Sequence, residues 1–206
     1  MQGIRKRRIW NFIYRSRWKQ NCRFYGPKGI GVLYLRDGVK FRKYLNGGHQ
    51  ERNRRAGTEN VAGIVGLAKA LTIAYENLEE NNNRTIELRN YFINEIKKYI
   101  EGVKINGDLI KRLPGNISIS FEFVEADNIL HELDKKGIYI STGSACTTGS
   151  IESSHVLKSI GLSDAVAHST IRISIGKYNS QEDIDYTIKC LIDVVDKLRK
   201  LSPLYC

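Results

Sequence analysis

Little in this chain invites a covalent or metal-built scaffold. Its 206 residues include four cysteines (Cys22, Cys146, Cys190 and Cys206), none in a Cys-x-x-Cys pair, and only 3 prolines. A disulfide framework is excluded by size and cysteine poverty. The four histidines (His49, His131, His155 and His168) do not stand at ligand spacing with any cysteine, so no zinc site is expected. No apolar run approaches the roughly 18 residues of a membrane span. Neither a signal-peptide apolar segment nor a glycine acyl acceptor at position 2 is present, and a reducing cytoplasm is the expected compartment. Acidic residues are scarce at one end only. Residues 1–23 hold eight basic side chains and no acid, and they carry most of the net charge of +11. Nucleic acid is therefore not the expected partner of the near-neutral body, although Trp10, Phe12, Tyr14 and Trp18 among the arginines could stack on bases.

What is present is periodic. Gly29–Leu35 and Val39–Leu45 read as two strands around an Asp37-Gly38 turn, followed by an ordered polar loop over 46–59. Val61, Ile64, Val65, Ala68, Leu71 and Leu78 share one face of a helix that reaches Asn81, where three asparagines predict a kink or an end. Leu88, Phe92, Ile96 and Ile100 form the stripe of a second helix. Short strands are expected at Val103–Ile105, Ile117–Phe123, Ile138–Ile140 and Ile171–Ile175. A helix over Ala126–Lys136 closes on Gly137, and Ser180 with Asp183 forms a capping box opening a last helix. Strands and helices mixed in this order indicate an α/β or α+β fold.

Three stretches could carry chemistry. In Ser141-Thr-Gly-Ser-Ala-Cys146-Thr-Thr-Gly-Ser150 one thiol sits among small residues, which suits a mobile nucleophile and equally a harmless loop cysteine. Arg52, Arg54 and Arg55 precede Thr58 at a helix start, a place for an anion, or a solvated basic loop with Thr58 as an ordinary N-cap. Arg172 lies inside an apolar strand, where a substrate carboxylate or an edge-strand ion pair could partner it. Lys28 occupies the tight turn Tyr25-Gly-Pro-Lys28-Gly29, where a solvated or a catalytic lysine is possible, and Cys190 reads as core filler.

The segments YGPKGIGVLYLR (25–36), GGHQERNRRAGTENVAGIVGLAKAL (47–71), RLPGNISISF (112–121), STGSACTTGS (141–150), SHVLKSIGL (154–162) and STIRISIGKY (169–178) resemble, in order, those of the group I (NifS/IscS-type) cysteine desulfurases of the class V aminotransferase superfamily. The resemblance implies a truncated fold-type-I transferase dependent on pyridoxal 5′-phosphate. Residues 24–65 would be a remnant of the cofactor-binding large domain. Residues 66–206 would be a linking helix and the C-terminal small α/β domain with its persulfide-cysteine loop. It implies a homodimer that takes sulfur from L-cysteine, releases alanine and passes the sulfur to an iron–sulfur scaffold or another acceptor. On that resemblance Cys146 is the persulfide cysteine, Thr58 reaches the partner subunit's cofactor phosphate, and Arg172 holds the substrate carboxylate. No intrinsic metal is implied, though Cys146 could transiently share an iron–sulfur cluster with a scaffold.

The departures matter as much. The family's N-terminal half is missing, and Arg23 stands in the place of the aldimine lysine, with Cys22 in that of the preceding histidine. A guanidinium stays protonated and cannot condense with an aldehyde. Covalent attachment of the cofactor is thus not expected, and the fragment should be inactive alone. Residues 1–23 are unlike the family, and Arg5 to Arg23 read as an out-of-frame translation. The alternatives are a non-catalytic module that pairs with a full-length desulfurase subunit or a sulfur-acceptor scaffold, and a decayed gene product. An uncovered 29–45 hairpin predicts poor solubility or obligate association.

Overall fold

The structure is a computed structural model that describes residues 24–142 and 154–202. The calls on Cys22, Arg23, Cys146 and Cys206 lie outside the described residues. The chain divides into two compact units, Met1–Leu78 and Glu79–Cys206.

The second unit is built on a four-stranded antiparallel sheet of order β1-β2-β4-β3, with β1 at Val103–Ile105, β2 at Asn116–Phe121, β3 at Ser141–Thr142 and β4 at Thr170–Ser174. Alternation along the two central strands decides which face is dry. Ile117, Ile119 and Phe121 of β2 and Ile171 of β4 are fully buried, whereas Ser118 and Arg172, cross-strand partners, lie on the opposite face. The apolar side is covered by α3 (Leu78–Tyr99), α4 (Ala126–Asp134) and α7 (Gln181–Leu201), which contribute Phe92, Ile96, Ile129, Leu133, Leu191 and Val195 to one core. The expected stripe Leu88, Phe92, Ile96 and Ile100 is buried throughout. The Ser180 capping box is formed, with Asp183 N–H donating to Ser180 Oγ at 3.2 Å and Ser180 N–H to Asp183 Oδ2 at 3.0 Å. Two short helices that periodicity did not announce, α5 (His155–Ser159) and α6 (Asp164–His168), precede β4.

Buried and half-buried arginines staple the loops of this unit through main-chain carbonyls. Arg199 donates to Glu122 O at 3.1 Å and Glu101 O at 2.8 Å. Arg112 donates to Asp108 O at 2.7 Å and also to Asn106 O. Arg84 donates to Lys177 O at 2.8 Å and to Asn179 O.

Several boundaries differ from expectation. Strand β2 stops at Phe121, because Phe123 turns into the left-handed region (φ 66°) and is exposed. Ile138–Ile140 is not a strand: Ile138 N–H is consumed by Leu133 O at 3.0 Å in the close of α4, and pairing with β4 begins only at Ser141. The asparagine triplet 81–83 lies inside α3. The break falls at Asn77, whose side-chain amide donates to Ile73 O at 2.8 Å and ends the preceding helix.

In the first unit the principal element is α2 (Val61–Glu76). Asn60, not Thr58, is its N-cap, accepting from Gly63 N–H at 3.0 Å. The turn over Phe24–Gly29 packs on α2: a Cβ added at Gly66 would stand 3.0 Å from Pro27, and one at Gly26 3.6 Å from Ala70 and Leu67. The 46–59 loop is ordered by polar staples, including Lys43 Nζ to Asn53 Oδ1 at 2.9 Å and Gly57 N–H to Gln50 Oε1 at 3.1 Å. Its one-turn α1 (Gln50–Asn53) contains left-handed residues at Glu51, Arg52 and Asn53. The expected strands 29–35 and 39–45 do not form. Only the Asp37-Gly38 turn survives, closed by Val39 N–H on Arg36 O at 3.2 Å. Two short segments with no third strand and no covering layer cannot recover the entropy of ordering them.

Candidate functional site

Arg172 is the one candidate whose surroundings are well defined. Strand β4 lies between β2 and β3, so the guanidinium rises from the interior of the sheet's polar face, not from an edge. Its cross-strand neighbours are Ser118 and Ser141. Arg172 Nη2 donates to Ser141 Oγ at 3.4 Å, and Ser141 Oγ donates to Thr142 O at 3.2 Å. No carboxylate pairs with Arg172 among the described residues, so the edge-strand ion pair is not what occupies it. The nearby Asp108 is engaged elsewhere. Its Oδ1 accepts from Ile110 N–H at 2.7 Å and Lys111 N–H at 2.6 Å, and those backbone donors hold its carboxyl below the usual range.

A cavity of about 370 Å³ opens beside this guanidinium, lined by Arg172, Ser118, Asn106, Lys111, Ser154 and Leu157 among others. Such a volume suits a small molecule. Its charged side chains, Lys111, Arg112 and Arg172 against an already satisfied Asp108, favour an anion.

Asn106, which the sequence marks only as part of a turn, organises one wall. It is 3% exposed. Thr170 Oγ1 donates to Val166 O at 2.6 Å and therefore accepts from Ser120 Oγ at 2.7 Å. Ser120 in turn accepts from Asn106 Nδ2 at 2.8 Å. The same amide reaches Ser118 Oγ at 3.3 Å, and the main-chain N–H of Asn106 donates to Ser118 O at 2.8 Å. This one-way relay fixes the amide's orientation and leaves Asn106 Oδ1 without a partner among the described residues. A polar residue directly before glycine, ahead of a Ser-rich strand, was the only available sequence signal.

The segment bearing Cys146 lies between β3, whose Ser141 is the cross-strand partner of Arg172, and Ser154, which lines the cavity beside it. Cys146 itself is outside the described residues. Cys190 is buried in α7 as core filler.

Thr58 belongs to the other unit. It is exposed, two residues before the N-cap of α2, and its carbonyl accepts from Arg55 Nη1 at 3.2 Å. Arg52 and Arg54 are exposed, and Lys28 is an exposed turn residue. These groups do not form a cradle for pyridoxal phosphate. A lone hydroxyl on an open loop offers neither an enclosing wall nor a condensing amine, and the guanidinium nearest it is spent on the carbonyls of Gly57 and Thr58. The described residues do not fit that cofactor. Among the described residues no cluster suited to a metal is found, and no single helix is long and apolar enough to cross a membrane.

Comparison with known proteins agrees with the motifs. The family model for class-V aminotransferases matches residues 12–187, beginning inside the basic segment that the motifs leave out. "Cysteine desulfurase IscS" of Dictyoglomus turgidum is 48% identical over 181 residues, 88% of this chain and 46% of the relative. The protein of the same name from Clostridium botulinum is 48% identical over 185 residues, 89% of this chain and 47% of the relative. A solved NifS-like protein superimposes with a TM-score of 0.75 at 37% identity, covering 84% of this chain and 44% of that one. The chain thus spans about half the length of the curated relatives it matches. Its fold is part of the pyridoxal-phosphate-dependent fold-type-I transferase. By sequence and by structure, the chain belongs to the class-V aminotransferase family, in its NifS/IscS-type branch.

Proposed function

We propose that this chain carries the substrate-carboxylate and sulfur-accepting portion of a cysteine desulfurase. The observation that supports the reading best is the guanidinium of Arg172, which has no carboxylate partner among the described residues. It stands on the polar face of β4 beside Ser141, the first residue of the strand that leads into the Cys146 loop. A planar fork on an exposed polar face suits the carboxylate of an amino acid, bound bidentately. Cys146, a few residues along the chain from Ser141, is within tether length of whatever Arg172 holds. Its thiolate would attack the sulfur of bound L-cysteine and form a persulfide as the carbon–sulfur bond breaks. The electron pair left on carbon requires an electron sink, and the residues present do not supply one. Turnover therefore belongs to an assembly in which another polypeptide segment provides the cofactor site. Residues 24–65 would be the end of that large domain and 66–206 the linking helix and small domain. Thr58 would be presented to a cofactor phosphate across a dimer, either of two such chains or with a full-length desulfurase subunit. The persulfide would pass to an iron–sulfur scaffold or another acceptor in a reducing, cytoplasmic compartment.

A chimera tests this directly, joining the N-terminal half of the Dictyoglomus turgidum relative to residues 24–206. Alanine should form from L-cysteine. Arg172→Gln should raise KM at least tenfold with a smaller effect on kcat, and Cys146→Ala should abolish the protein-bound persulfide. An unchanged KM in the first variant, or undiminished persulfide in the second, would refute the assignment.

A further inference from the structure

The dipeptide Asn-Gly occurs twice in the sequence, at 46–47 and at 106–107, and the fold treats the two differently. Both glycines hold a positive φ, 143° at Gly47 and 79° at Gly107. Neither has a Cβ to shield its nitrogen from the preceding side chain. The asparagines have opposite surroundings. Asn106 is buried, with its amide nitrogen 2.8 Å from Ser120 Oγ and 3.3 Å from Ser118 Oγ. Its carboxamide cannot swing toward Gly107 without breaking that relay and leaving buried hydroxyls unpaired. Asn46 is exposed, in the polar loop ahead of α2. Among the described residues no hydrogen bond holds its carboxamide or the N–H of Gly47. A thermolabile side chain there meets an unshielded nitrogen with nothing to keep the two apart.

We propose that Asn46-Gly47 is a self-modification site, at which the folded chain converts asparagine to aspartate and isoaspartate. The Gly47 nitrogen gives its proton to solvent and attacks Asn46 Cγ. The new carbon–nitrogen bond closes a five-membered succinimide. The Cγ–Nδ2 bond breaks as that nitrogen takes up a proton and leaves as ammonia. Water then opens the ring at one of its two carbonyls. Opening at Cγ gives aspartate. Opening at the main-chain carbonyl gives isoaspartate, whose backbone runs through Cγ and is longer by one carbon. The balance is one water consumed and one ammonia released, with no oxidant, reductant or cofactor.

The longer link falls where the loop is tight. Leu45 O accepts from Ala56 N–H at 3.4 Å, and a Cβ on Gly47 would stand 3.1 Å from Ala56 Cβ. Residues 45 and 47 thus both abut Ala56, and an extra carbon between them displaces one contact or the other. Gly57, next along, donates to Gln50 Oε1 at 3.1 Å, and Arg55 holds the carbonyls of Gly57 and Thr58. Isoaspartate at 46 therefore loosens the segment that presents Thr58 and adds a carboxylate to a loop rich in arginine. The site stands on exposure and bonding alone, not on the roles of Thr58, Arg172 and Cys146.

The test incubates the full chain at mildly alkaline pH and follows tryptic peptides by mass. Peptide 44–52 should gain the acid-for-amide mass difference at least tenfold faster than peptide 105–111, which carries Asn106. In urea the two should convert at rates within threefold of each other. Modified 44–52 should accept a methyl group from S-adenosylmethionine when treated with an isoaspartyl carboxyl methyltransferase, and Asn46→Gln should abolish both signals. Asp37-Gly38 isomerises through the same ring without a change of mass, so the mass reading excludes it. Amide exchange over 53–60 should quicken in the modified chain, while β2 and α7 stay unchanged. Equal rates for the two peptides in the folded chain would overturn the proposal. So would a tenfold rise for 44–52 in urea, which would mean that the fold protects Asn46 as well, or a mass gain with no methyl acceptance. The readout needs neither substrate nor cofactor, so its failure and that of the Arg172 and Cys146 tests are distinguishable.

Discussion

Gly115 shows how a single hydrogen atom can be a structural requirement. It sits in the Arg-Leu-Pro-Gly-Asn run before β2, its carbonyl accepting from Ile175 N–H at 2.9 Å. A Cβ there would lie 2.1 Å from Ile175 O, a backbone atom that cannot swing aside. Gly115→Ala should therefore destabilise the second unit by about 1–3 kcal/mol, the scale of overpacking a tight site, read from the urea midpoint. Asn106 poses the opposite problem, a buried amide donating into two serines while its own acceptor is idle. Asn106→Asp replaces both donations by a buried carboxylate facing oxygen atoms. It should cost more stability than Asn106→Ala at pH 7, and the gap should narrow at acid pH, where the carboxyl is protonated and regains one donor. Equal midpoints for the two variants at pH 7 would contradict the relay direction. Neither role was legible in the sequence. Glycine and asparagine announce turns, but not what approaches them, which is Ile175 for Gly115 and Ser118 and Ser120 for Asn106. Arg172 was legible as an anomaly, since a charge among isoleucines needs a partner, yet only the sheet order shows that it stands on an interior strand.

Elements here are held by few but well-placed pairs. Glu132 on α4 receives Lys135 at 2.7 Å and Lys197 of α7 at 2.7 Å, and these two ammonium donors push its carboxyl from 4.5 down to about 2. A group whose folded pKa is depressed stabilises fully above its unfolded pKa and loses that contribution as pH falls through the folded value. The α4–α7 tie should thus hold at neutral pH and fade between about 4.5 and 2. Glu132→Gln should lower the denaturation midpoint at pH 7, and the difference from the parent should close across that window. Because the pair is partly exposed, salt should shrink the effect. At this scale the sequence was most readable where an element's partner lies within the unit. The α3 stripe, the β2 alternation as far as Phe121 and the α7 capping box formed as expected, the first two because their apolar faces meet one another. It misled where the described residues supply no partner strand. The 29–45 strands have correct strand composition and an intact Asp37-Gly38 turn, but composition supplies no neighbouring strand. The Ile138–Ile140 strand failed for a local reason, the capture of Ile138 N–H by the end of α4.

For the whole molecule, the location of the core predicts how it should unfold. Every residue of the main buried cluster lies between Leu88 and Val195, and the smaller one, Leu157, Leu162 and Ala167, falls inside the same span. The first unit buries only Gly63 among its described helix residues. Apolar burial is the chief term opposing chain entropy, so the two units should differ sharply in cooperativity. A polypeptide of residues 79–206 should fold alone and unfold in one transition. Its midpoint should fall within a few degrees of the main transition of the full chain, because almost none of the stabilising contacts are removed. In the full chain, amides of 29–45 should exchange at nearly unprotected rates, while those of β2 and α7 should open only with global unfolding. The opposite result, loss of cooperative folding on removing 1–78, would mean that the second unit draws on contacts outside its own core. The reading of residues 79–206 as a self-sufficient folding unit would then be wrong. Stability makes visible a division that ancestry does not. The motifs run through both units without interruption, whereas the buried surface that makes a fold self-supporting is confined to one of them.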